Sequence, residues 1–140
     1  MAMTGRPALA VSVLVACLLA GPAGCGLFGP AHGAPDPQAD VIIDMGFHRF
    51  KPTDVTIHAG QIVEWRNISL VTHTITDDPA LADFHADALL PPGVMPFDSG
   101  DVPAGEVFLF KFPAPGTYRY FCKHHERHGM LGTITVLPAP

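Results

Sequence analysis

Between residues 41 and 137 apolar side chains return at every second position in short runs, and turn-forming residues separate the runs. That period of two places alternate side chains on opposite faces, so it fits strands and cannot form the apolar stripe of a helix. "DVTIHAG" sets Val55 and Ile57 against Thr56 and His58. "QIVEWRN" sets Val63 and Trp65 against Glu64 and Arg66. "EVFLFKF" carries Phe108, Phe110 and Phe112 on one face, "GTYRYFC" carries Tyr118, Tyr120 and Cys122, and "GTITVL" aligns Ile134 and Val136. "VIIDMGF" and "VTHTIT" read as further strands, and "HAGQ", "PAGE" and "PAPG" mark turns. The expected fold is all-β: an antiparallel Greek-key sandwich or barrel of about seven to eight strands. The connection from residue 77 to 105 is long for a hairpin. Within it "DDPALADFHADALL" is read as a short helix, capped by Asp77 or Asp78 with Pro79 in its first turn.

Ahead of this domain the composition changes. Arg6, the apolar run "ALAVSVLVACLLAG" and the small residues of "GPAGCG" read as an export signal over residues 1–25. Cys25 after Ala23 and Gly24 is the candidate for lipid attachment. Pro22 stands where such a signal usually has an aliphatic residue, and "LVAC", ending at Cys17, fits better but leaves a shorter apolar run. Cleavage nearby without lipid would instead give a secreted protein. Residues 26–40, rich in Gly, Pro and Ala, read as a linker, leaving one domain over 41–138. Of the eight Lys and Arg residues only Arg6 precedes Cys25, so seven face all thirteen acidic residues and the net charge beyond the signal is −6. Without a basic patch, nucleic acid is excluded as a partner.

The chain has three cysteines, and Cys122 is the only one beyond residue 25, so no disulfide framework can form. It stands in "YFCKHHERHGM", where Cys122, His125 and Met130 have the spacing C-x2-H-x4-M. Cys122 ends one strand and the next begins near Leu131, so the loop must turn back on itself and its side chains can converge. A thiolate, an imidazole and a thioether form a soft donor set suited to copper, whereas zinc has little use for a thioether. His73 is the best candidate for the second imidazole. His124 competes with His125, and the spacing favours His125. Met130 and Cys122 could each serve as core packing alone. His48, His58, His85 and His128 read as surface residues, and Met45 and Met95 as core or loop.

The segments "AGQIVEWRN", "THTI", "PFDSG" and "PGTYRYFCKHHERHGMLGTITV" resemble the cupredoxins, the small blue copper proteins of the plastocyanin, amicyanin and pseudoazurin group. The resemblance implies one type 1 copper ion held by His73, Cys122, His125 and Met130, with His125 nearest the surface behind an apolar patch. It implies a monomeric one-electron carrier between redox proteins outside the cytoplasm, not an enzyme. The competing expectation is a protein that stores copper or delivers it to an oxidase. Three positions depart from the group: His124 where proline is common, His128 where a small residue is common, and Thr74 where an asparagine usually braces the two ligand segments. Thr74 must then do that with one hydroxyl, or another residue does.

Overall fold

In the computed structural model, which describes residues 34–140, the alternating runs become strands of two facing sheets. The strands are β1 (Val41–Met45), β2 (Phe50–Lys51), β3 (Asp54–His58), β4 (Ile62–Asn67), β5 (Val107–Lys111), β6 (Gly116–Phe121) and β7 (Leu131–Leu137). One sheet has the order β2-β1-β4-β5 and the other β3-β7-β6. The architecture is therefore an open sandwich and not a closed barrel. Nor is it wholly antiparallel. β1 runs parallel to β4 and β3 parallel to β7, because the chain crosses between the sheets before returning to an earlier strand.

The faces follow the alternation. Val63 and Trp65 of β4, Tyr118 and Tyr120 of β6, and Ile134 and Val136 of β7 are buried in one core with Ile43, Ile57 and Phe112. Trp65 is the centre of the aromatic packing, edge-on to Tyr120 at 5.4 Å between ring centroids, with Phe108 at 5.9 Å. Burying each such side chain contributes about 1.5–3 kcal/mol. Gly132 on β7 faces Tyr120 across the pair, and a methyl group there would overlap the phenol ring.

Two runs depart from the expected pattern. Glu64, on the face expected to be polar and open, is buried. Residues ahead of β1 cover it: Asp36 donates its amide to Glu64 Oε2 at 2.6 Å, and Asp40 exchanges bonds with Ile62. Residues 71–76 form no strand. His73 pairs only with Val102, and Thr76 only with Asp98 and Phe121. The amides between go to side chains, Thr74 N to Cys122 Sγ and Ile75 N to Ser99 Oγ, so no ladder can propagate.

The helix expected after Asp77 shrinks to two 3-10 turns, Pro79–Leu81 and His85–Asp87. Asp78 does cap the first, accepting from Ala80 N, with Pro79 at its start. Ala82 and Ala88 then return to extended backbone, and Leu89 pairs with Arg119 on the edge of β6 in two backbone bonds. The open edge of the sheet takes those backbone groups in place of a further helical turn.

Candidate metal centre

The register of the sandwich brings three chain segments to one end. Pairing of Met45 with Asn67 sets the turn after β1 beside the loop after β4. β6 delivers Cys122 to the same end, and the 122–130 loop folds back there. Cys122 N donates to Met130 O, His125 N to Cys122 O, and Met130 N to His125 O, at 3.0–3.2 Å. Gly129 closes the loop at φ 75°, a left-handed conformation that favours glycine, with its amide bonded to Glu126 O.

This closure brings His73, Cys122 and His125 together. One donor atom from each lies within 4.8 Å of the others, the one such group of three among the described residues. The Cys122 Sγ is 3.7 Å from His73 Nδ1 and 3.4 Å from His125 Nδ1. A first-row ion bound at about 2.0 Å to nitrogen and about 2.3 Å to sulfur in a trigonal plane separates those donors by about 3.7 Å. The residues present therefore fit such an ion. Met130, fully buried, stands at the other end of the loop, its backbone bonded to both Cys122 and His125.

Hydrogen bonds fix which nitrogen of His73 is free. Asn67 is buried and fully used: Nδ2 donates to Val71 O and Val102 O, and Oδ1 accepts from Ser69 N and Ser69 Oγ. Ser69 has two acceptors for its one hydroxyl proton, Asn67 Oδ1 at 2.8 Å and Val71 O at 3.2 Å, so it is left to accept from His73 Nε2 at 2.9 Å. The ring then carries its proton on Nε2 and turns a lone pair on Nδ1 toward the sulfur. Burial, reinforced by the charge of His125, lowers the His73 pKa to about 4, so the ring is neutral at physiological pH.

Thr74 braces the two segments as its single hydroxyl must. Its Oγ1 accepts from Lys123 N at 2.7 Å and lies 3.8 Å from Cys122 Sγ, and its amide donates to that sulfur at 3.3 Å. Both contacts favour negative charge on the sulfur.

The outer side of the site differs. His125 is half-buried, and burial, followed by the nearby His48, His124 and His128, lowers its pKa. His124 points away from the sulfur, its Nε2 on Asp101 Oδ1 at 2.7 Å. His58 bonds to Pro138 O, and His85 is exposed on the second 3-10 turn. His48, read from sequence as an ordinary surface residue, packs its ring 4.7 Å from His125 and 4.8 Å from His128, with Phe47 behind it at 4.1 Å. No local sequence signal marks that placement, which follows from the parallel register of β1 on β4. Cys25 lies outside the described residues.

The family model for copper binding proteins of the plastocyanin/azurin family matches residues 38–137. Plastocyanin of Scenedesmus fuscus is 39% identical over 95 residues, covering 66% of this chain and 91% of its own. Plastocyanin of Nostoc punctiforme is 31% identical over 121 residues, covering 79% and 80%. Among solved structures, the Cu(I) form of an amicyanin mutant superposes with a TM-score of 0.58 at 18% identity, covering 81% of this chain and 95% of its own. A purple cupredoxin from Nitrosopumilus maritimus gives 0.54 at 24% identity, covering 70% and 100%. These two share the fold. The chain belongs to the plastocyanin/azurin family of copper-binding proteins.

Proposed function

We propose that His73, Cys122, His125 and Met130 hold the copper ion of this electron carrier. The observation that carries the assignment is the convergence of one sulfur and two imidazole nitrogens, from segments 49 residues apart, within 4.8 Å of one another. The protein is a type 1 copper electron-transfer protein and not an enzyme; it passes single electrons between redox partners.

Bound copper supplies a one-electron couple between Cu(II) and Cu(I). The chain's residues hold that couple in one geometry. Ser69 and Asn67 orient His73, the Thr74 amide stabilises charge on the Cys122 sulfur, and the buried surroundings of His73, Cys122 and Met130 keep water out. With the ligands fixed by the fold, little rearrangement accompanies a change of oxidation state. His125, the one partly exposed member, is the exit for the electron, and the aromatic surface of Phe47 and His48 beside it is where a partner would dock.

The sequence of residues 1–25 supports export, with Cys25 as a lipid attachment point and the carrier tethered at the outer face of a membrane by the linker that precedes Asp36, where the chain begins to pack on the domain. Among the described residues no helix is long and apolar enough to cross a membrane. The carrier works as a monomer. Addition of Cu(II) to the purified protein is expected to give an intense visible band and a narrow copper hyperfine splitting in paramagnetic resonance. Cys122→Ser is expected to lose the band and keep the fold. A band that survives this substitution overturns the assignment.

A further inference from the structure

Glu126 lies between His125 and Met130, opens the 3-10 turn Glu126–His128, and is only 4% exposed, while Arg127, His128 and Gly129 after it are exposed. Taking a carboxylate out of water costs several kcal/mol unless its oxygens find donors. Both do: Oε2 accepts from Asp83 N at 2.9 Å and Oε1 from Phe84 N at 3.0 Å. Among the described residues the carboxylate forms no ion pair: the neighbouring Arg127 places its guanidinium on Asp83 Oδ2, out in solvent. The segment that supplies the two amides is itself tied to β6 through the Leu89–Arg119 pair. The carboxylate thus connects the middle of the ligand loop back to β6, the strand that leads into Cys122.

We infer that Glu126 is a positioning residue of the copper site: by gripping two successive backbone amides it fixes the turn that sets His125 relative to Met130. The inference rests on the ligand assignment made above. Two acceptor oxygens on one rigid group match two adjacent N–H donors. An amide of the same shape offers one acceptor and presses an NH2 group against the second donor, so Glu126→Gln breaks the grip at nearly constant volume. Buried partners that orient metal ligands typically change affinity or activity about 10–100-fold when replaced.

The test compares the full chain with Glu126→Gln, Glu126→Ala and the control Arg127→Ala. In the metal-free protein, hydrogen exchange at the Asp83 and Phe84 amides is expected to quicken about tenfold or more in Glu126→Gln, since each then lacks a charged acceptor. Copper affinity is expected to fall about 10–100-fold and the visible band to shift in position while remaining intense. Arg127→Ala is expected to change none of these. Native exchange, affinity and band position in Glu126→Gln, with only a lower melting temperature, would overturn the inference and reduce the residue to packing. So would an equal loss in Arg127→Ala, which would make the surface ion pair the anchor. If Glu126→Ala fails to fold, Glu126→Gln still decides. An intense band absent from the unsubstituted protein would instead sink the ligand assignment on which the inference stands.

Discussion

The two sides of the copper site are built by opposite means. The segment from Asn67 to Asp77, which carries His73, is almost wholly buried toward its end and spends its polar groups inside the molecule: on Val71, Val102, Ser99, Phe97 and the sulfur itself. The loop from Cys122 to Met130 meets solvent through His124, Arg127, His128 and Gly129, and ties its flanks to acidic residues, Lys123 to Asp98, His124 to Asp101 and Arg127 to Asp83. Exposed ion pairs of this kind contribute little to stability, whereas a buried amide or carboxyl that loses a partner is costly. The inner segment therefore fixes the tautomer and position of His73, and the outer loop leaves His125 partly exposed.

That contrast breaks first at Asn67. Asn67→Ala removes the amide donors to the Val71 and Val102 carbonyls and the buried acceptor for Ser69 N and Oγ, four bonds in all, and is expected to cost about 2–4 kcal/mol in urea unfolding. A loss below about 1 kcal/mol would mean the inner segment is not the rigid half.

Asp77 gives a test by pH. It is fully buried, Oδ1 accepts from Phe97 N, and Oδ2 has no partner among the described residues. Burial raises its pKa from 3.8 to about 6. A folded pKa above the unfolded one favours the protonated form, so the stability it allows is complete below about pH 4 and is lost as pH rises through about 6. Over that window the native protein should lose up to about 3 kcal/mol relative to Asp77→Asn. Parallel stability curves for the two from pH 4 to 7 would refute the effect.

A smaller change is expected from Ser69→Ala. Without Ser69 the His73 ring keeps only the backbone of Gly46 to orient it, and copper affinity should fall about tenfold with the fold retained. Unchanged affinity would show that packing alone orients the ring. On the outer side, His48→Ala removes a ring packed against Phe47, His125 and His128 yet should shift stability by less than about 0.5 kcal/mol. A larger loss would erase the distinction between the two halves.

The sequence carried the strands and the donors because both are local: alternation marks a face, and C-x2-H-x4-M needs only a loop that returns. What it did not show depends on contacts between distant segments. Glu64 is buried because residues 36–40 lie over it, and His48 reaches His125 because β1 runs parallel to β4. Residues 71–76 alternate like a strand, but their amides find Cys122 Sγ and Ser99 Oγ, partners no local pattern announces. Glu126 reads as one more charge on a polar loop until the backbone of residues 83–84 is placed above it.

X-ray absorption at the copper edge of the loaded protein tests most directly whether these two halves meet on one ion. The account predicts one sulfur at about 2.3 Å or slightly less and two nitrogens at about 2.0 Å, with one nitrogen lost in His73→Ala. A shell of nitrogen and oxygen alone, or one indifferent to His73, would contradict it.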